Sequence, residues 1–313
     1  MADLLFSINA VVPLFLIMVL GFLFRKRGFI GDIFVESGTK VCFYLALPCL
    51  LFLSIMQNDL TESFNLPLTL LCVGGTLLYV TLLRLITPHF IKNVASRSAF
   101  IQVCFRSNYV LLGLAFINNL AGPTGLTKAA TVLAFIIPLF NVLAVLVLSE
   151  NQQQGGGKLH LLFRRIITNP LIIASLLGVI GSFLPVQLPL LLQRPLTYIA
   201  DMAMPLALFT LGASLHFQGE MEKLRLALVA SLLKLIVVPL AAVIIAYKLG
   251  FDPVQMVITL ALFAGPPAVS CFTMAFQMGA DHQLTSLTIV LATGLSAVTM
   301  FSFVYVLRVM GLV

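Results

Sequence analysis

Long apolar runs separated by short polar stretches repeat along the whole chain. Ten can be marked, at about 8–24, 36–56, 67–87, 98–121, 126–148, 166–184, 188–215, 226–248, 254–278 and 284–307. Each is close to the roughly 20 residues that a helix needs to cross about 30 Å of hydrocarbon. The pattern therefore predicts an all-α polytopic membrane protein of ten transmembrane helices. The longest polar linker is Asn151-Gln152-Gln153-Gln154-Gly155-Gly156-Gly157-Lys158, a flexible hinge by composition. It falls at mid-chain and divides the sequence into a first five-helix unit at 1–150, a cytoplasmic linker at 151–165 and a second five-helix unit at 166–313.

A mid-chain hinge calls for a search for duplication. Sliding the sequence on itself by 157 residues brings Pro13-Leu14 onto Pro170-Leu171 and Leu20-Gly21 onto Leu177-Gly178. The same offset brings Ala46 and Pro48 onto Ala203 and Pro205, and Gly122 onto Gly279. At 158, Leu126-Thr127 and Val132-Leu133-Ala134 meet Leu284-Thr285 and Val290-Leu291-Ala292. Leucine matches are cheap in apolar sequence; prolines and glycines in register are not. Five spans per half is an odd number, so the halves run in opposite directions. Inverted repeats of this kind mark transporters whose substrate site lies at the repeat interface near the bilayer midplane.

Composition agrees with the membrane reading. Hydrophobic residues make up 60% of the 313 and charged ones 9%, against about 25% charged in a soluble domain. Mean hydropathy is +1.11. The net charge of +7 does not require nucleic acid, because basic residues collect in cytoplasmic loops. One set of loops holds Arg25, Lys26, Arg27, Arg84, Lys92, Arg97, Lys158, Arg164, Arg165, Lys223 and Arg225; the opposite set holds Lys128, Arg194, Lys248 and Arg308. This bias puts the first set in the cytoplasm and both termini outside. Asp3, with no basic residue before the first apolar run, points away from a cleaved signal peptide. Cys42, Cys49, Cys72, Cys104 and Cys271 all lie in apolar runs without metal or disulfide spacing and read as small core hydrophobes.

Charged side chains at span centres are costly and are functional candidates by default. Arg106 lies about nine residues beyond Arg97, roughly 14 Å at helical rise, and its guanidinium suits a carboxylate; the alternative is a structural arginine bonded to backbone carbonyls. With Ser107 and Asn108 it forms a polar cluster in the fourth span, Asn108 offering both donors and an acceptor. The 157 offset sets Asn108 on Gly265, which opens Gly265-Pro266-Pro267 in the ninth span. Two prolines remove two backbone donors, and irregular backbone at this depth belongs where it is buried in protein or lines a cavity. Asp201 and Lys234, in the seventh and eighth spans, read either as a salt bridge or, for Asp201, as a proton or cation carrier; Tyr44 is the repeat mate of Asp201. Pro48 and Pro205 are the expected helix breaks of the second and seventh spans. No nucleophile–base pair, phosphate loop or metal cluster is visible, so the chain reads as no enzyme. No cofactor is expected beyond a coupling proton or sodium ion.

These residues resemble the auxin efflux carrier family, and the chain looks like a bacterial member. The resemblance is carried by Tyr44-Leu45-Ala46-Leu47-Pro48, by Thr168-Asn169-Pro170-Leu171-Ile172-Ile173-Ala174, by Ala203-Met204-Pro205 through Thr210-Leu211-Gly212-Ala213-Ser214-Leu215, and by Ala264-Gly265-Pro266-Pro267-Ala268 through Gly279-Ala280-Asp281. It implies a fold akin to bile-acid/sodium symporters, in which the fourth and ninth helices cross at broken segments. It also implies a scaffold half built on the first, second, sixth and seventh helices, carriage of organic anions, and homodimers. The fourth helix departs from many relatives in having Gly113-Leu114-Ala115 where they have a proline. The expectation is a secondary transporter that moves a small organic anion, a carboxylate, across the bacterial cytoplasmic membrane by alternating access. The alternatives are a passive channel, or a cation/proton antiporter on a similar fold; the latter wants more than one acid at depth, and only Asp201 is available.

Overall fold

The computed structural model describes residues 2–57, 65–152, 158–183, 188–215 and 221–313, and among these the chain is helical, with no strand. Residues 153–157 of the predicted hinge lie outside the described residues. Among the described residues, six helical stretches are long and apolar enough to cross a membrane: Asp32–Met56, Leu66–His89, Leu114–Leu148, Leu190–Ser214, Met221–Lys248 and His282–Val309.

The first apolar run lies within helix α1 (Ala2–Lys26). The second is α2 (Asp32–Val41) and α3 (Leu47–Met56), joined by a π-turn at Cys42–Ala46. That turn corrects the expectation for Pro48. Proline has no N–H for the carbonyl four residues back and its ring clashes with it; the widened turn absorbs the mismatch, so the helix stays continuous. The seventh run is interrupted only at Met202, which keeps helical φ/ψ (−77°, −12°) between α9 (Leu190–Asp201) and α10 (Ala203–Ser214), three residues ahead of Pro205. Cys42 Sγ donates to the carbonyl of Ala203 at 3.5 Å, so the π-turn and this interruption pack against each other.

Two helix pairs repeat one contact. α1 packs along α10, where a Cβ on Gly21 would overlap the carbonyl of Phe209; α8 (Pro170–Phe183) packs along α3, where a Cβ on Gly178 would lie 3.0 Å from the carbonyl of Phe52. Gly21 and Gly178 are 157 residues apart, and so are Phe52 and Phe209. The Gly122–Gly279 match is also a match in conformation, with φ of 60° and 68°, a region that favours glycine. Gly122 is where α6 (Leu114–Leu148) turns, so that one named helix contains the end of the fourth run and all of the fifth.

The sixth run is shorter than expected. Asn169 accepts hydrogen bonds at Oδ1 from the N–H groups of Leu171 and Ile172 at 3.0 and 3.4 Å, which caps α8 and separates it from α7 (Lys158–Ile167). Much of the stretch predicted as linker is therefore helix. The remaining elements are α4 (Leu66–Ile86), α5 (Val94–Phe105), α11 (Met221–Leu232) and α12 (Val238–Lys248) with a π-turn at Leu233–Val237, α13 (Pro253–Ala264), α14 (Ser270–Gln277) and α15 (His282–Val309). Many hydroxyls buried in this apolar packing bond to carbonyls three or four residues back, as Thr39 to Val35 at 2.6 Å and Thr288 to Leu284 at 2.8 Å do; each of these thereby avoids the cost of an unmet polar group.

Candidate functional site: a crossing of two broken helices

α5 ends at Phe105, and Arg106 continues with extended backbone (φ −80°, ψ 114°). Helix resumes with a π-turn at Tyr109–Gly113 that leads into α6. α13 ends at Ala264, and α14 begins at Ser270. The two interruptions lie antiparallel against each other. The N–H of Asn108 donates to the carbonyl of Pro266 at 2.8 Å, and the N–H of Ala268 donates to the carbonyl of Arg106 at 3.3 Å. Ser107 pairs with Pro267 between them, and Ser107 Oγ donates to the carbonyl of Gly265 at 3.3 Å. Each break thus supplies partners that the other lacks, in a setting where water cannot. A side chain at 265 is excluded, because its Cβ would overlap Ser107 Oγ.

A small cavity of about 50 Å³ lies beside the crossing, well below the range usual for drug-sized ligands. Its polar lining comes from Arg106, Ser107, Asn108, Tyr109 and Ser270; its apolar walls include Leu47 and Leu51 of α3, Phe140 of α6, and Ala203 and Ala207 of α10. The cavity thus lies between the crossing and the α3–α10 helices. Two helix starts border it, at Tyr109–Val110 and at Val269–Ser270. The first N–H groups of a helix have no intrahelical partner and carry the positive end of its dipole. Arg106 brings a positive charge to the same polar end.

Arg106 is 4% exposed. Its Nη2 donates to Asn141 Oδ1 at 2.8 Å, and its Nη1 lies 3.0 Å from Met274 Sδ. The Asn141 amide is itself held: Nδ2 donates to Ser175 Oγ at 2.9 Å and to the carbonyl of Leu171 at 3.4 Å. This fixes the amide so that its oxygen faces the arginine. Among the described residues no carboxylate pairs with Arg106, and its partners are an amide oxygen and a thioether, which is a weak acceptor. Its charge is left for something else to neutralise.

The predicted site residues divide. Arg106, Ser107 and Asn108 line the cavity. Gly265, Pro266 and Pro267 build the crossing, while the lining on that segment is Ala268, Val269 and Ser270. Asp201 and Lys234 form no ion pair, which corrects the salt-bridge expectation. Asp201 is exposed at the end of α9, whereas Lys234 is 1% exposed inside the π-turn between α11 and α12. Helical depth had placed both near the midplane but says nothing of which way each faces. Tyr44 is 60% exposed and does not line the cavity; its ring meets Phe43 edge-on at 5.0 Å. The five cysteines are free, and among the described residues no cluster suits a metal ion. Asn141 and the start of α14 were missed. A lone asparagine inside an apolar run was the available signal for the first.

Helices that break inside an apolar bundle and cross beside a cavity lined by a buried arginine define a membrane transport protein. The sequence comparisons give the family. The chain belongs to the auxin-efflux-carrier-like family described as Membrane transport protein, whose family model matches residues 6–304. It is similar to a protein of Rhizobium meliloti named "Putative malonate transporter", at 27% identity over 307 residues that cover 95% of each chain. It is also similar to an uncharacterized transporter of Methanothermobacter thermautotrophicus, at 25% identity over 290 residues, 90% of this chain and 91% of that one. The family and these relatives are transporters, not enzymes.

Proposed function

We propose that this protein is a secondary transporter of a small carboxylate, with the carboxylate held between Arg106 and the helix starts at Tyr109 and Ser270. The carrying observation is Arg106, a cavity-lining residue whose guanidinium has an amide and a thioether but no carboxylate as partners among the described residues. An anion with two carboxylates fits best, one group on the guanidinium and the other on the second helix start. Malonate, which the Rhizobium meliloti relative's name mentions, is of that class. A carrier is favoured over a channel because α3 and α10 line the cavity on one side and the crossing lines it on the other, so movement of one against the other would change access.

The architecture we propose is ten spans in two inverted halves, residues 1–150 and 166–313. Support comes from the reciprocal contacts of Gly21 with Phe209 and Gly178 with Phe52, and from the shared positive φ of Gly122 and Gly279. The loop charges favour a cytoplasmic-membrane location with both termini outside.

The test is a thermal-shift titration of the purified protein with malonate, succinate and acetate. A bound anion stabilises the folded state by mass action; a dicarboxylate should raise Tm at lower concentration than acetate. Vesicles preloaded with unlabelled dicarboxylate should then take up labelled dicarboxylate faster than empty ones. Equal uptake in both would mean a pore.

A further inference from the structure

A second surface lies apart from the crossing. α7 follows the mid-chain linker and packs on the end of α6 and the start of α8. Arg165 reaches the carbonyl of Ser149, which caps α6, at 3.5 Å, and Ile166 packs against the core. On either side of these anchors the helix faces outward. Phe163 is 62% exposed, Ile167 is half exposed, and Arg164 is exposed. The sequence of α7, Lys158-Leu159-His160-Leu161-Leu162-Phe163-Arg164-Arg165-Ile166-Ile167, repeats apolar residues at helical spacing and contains three basic residues and no acid. The nearest acid along the chain, Glu150, is already paired with Arg84 at 2.5 Å. Ten residues are too few to span a bilayer. The combination of an apolar face, a basic face and no acid is that of a helix lying in the plane of the membrane surface.

We propose that α7 is an interfacial helix that binds the phosphate groups of anionic phospholipids through Arg164, with Phe163 and Ile167 set among the acyl chains. The charge complementarity commits the partner. Zwitterionic lipid would satisfy the apolar face alone and give Arg164 no net attraction, whereas an anionic headgroup satisfies both. Because α7 joins the end of α6 to the start of α8, anionic lipid would hold the joint between the two halves of the chain against the bilayer surface.

The chain has no tryptophan, so Phe163→Trp introduces a single fluorophore on α7. This variant would be reconstituted in vesicles of equal parts phosphatidylcholine and phosphatidylglycerol, with bromine placed on the acyl chains of one lipid or the other. The expected result is blue-shifted emission, quenched several-fold more by brominated phosphatidylglycerol than by brominated phosphatidylcholine. A basic residue near an anionic surface contributes about 1 kcal/mol, so Arg164→Gln should cut that preference roughly fivefold. On the unsubstituted Arg164 background, salt near 1 M, where the screening length is about 3 Å, should do the same. Emission typical of water would overturn the interfacial placement. Equal quenching by both lipids would overturn the anionic partner. Quenching that appears only on dilution to one chain per vesicle would assign the face to a second copy instead.

Discussion

At the scale of single residues, Asn141 controls how Arg106 is offered to a ligand. Its oxygen takes one guanidinium nitrogen, and its own amide is pinned by Ser175 and Leu171. Asn141→Asp would place a carboxylate against the guanidinium without changing size. The new ion pair offsets the lost amide bonds to Ser175 and Leu171, so we expect the variant to fold and to lose its anion-induced thermal shift. Arg106→Gln should weaken dicarboxylate binding roughly ten- to hundredfold, which corresponds to the about 1.5–3 kcal/mol of a hydrogen bond to a charged group. Titration of Tm against malonate checks both. Arg106 was legible as a residue because charge at depth is rare. Asn141 was not, since attention to ionisable groups passes over a neutral amide whose importance lies in what it holds. A third residue test lies at the membrane edge. Asp252 caps α13, accepting from the N–H of Gln255 at 2.8 Å, and pairs with Lys128 at 3.1 Å. Partial burial acts to raise its pKa, but the bonds from Gln255 and Lys128 outweigh it, and the folded value is lowered. A lowered carboxylate pKa means stability that is present above the unfolded value and lost as pH falls through the folded one. Asp252→Asn keeps a good cap and removes the charge. Its Tm deficit at neutral pH should therefore vanish on acidification through the carboxylate range, as a pH series of melting curves would show.

At the scale of helices, close approach sets what can be changed. Gly21→Ala gains about 1 kcal/mol of helix propensity but drives a methyl into the Phe209 carbonyl, and overpacking costs about 1–3 kcal/mol. The net effect should be a lower Tm. Gly178→Ala meets its neighbours at 3.0 Å, so a small shift relieves it and its Tm should fall less; melting curves of the two variants rank the contacts. Gly265-Pro266-Pro267 made the ninth break legible, since two prolines forbid regular helix. The fourth break carries no proline; Arg106-Ser107-Asn108 offered only the weaker signal of side chains that compete for backbone partners. Pro48 misled in the other direction, because a π-turn can absorb a proline without interrupting a helix. The α7–α8 boundary was blurred for a related reason. Ile166 and Ile167 extend the apolar run, and only the Asn169 cap divides it.

At the scale of the molecule, the charge asymmetry of the loops predicts which face each end of the bundle meets. A cysteine at Lys92 should react with an impermeant maleimide only in inside-out vesicles, and one at Lys248 only in intact cells. The native cysteines, four buried and one half-buried, should contribute little background. The opposite labelling pattern would invert the topology. The antiparallel bridge between 106–108 and 266–268 has a further consequence, in time. The first break leaves the ribosome 158 residues before the carbonyl of Pro266 that it needs. At about 5–20 residues per second that is a wait of roughly 8–30 s, during which peptide groups at the centre of a nascent membrane segment have no permanent partner. Biogenesis of the first half must therefore shelter that segment, in the insertion machinery or in provisional pairing, until the second half arrives.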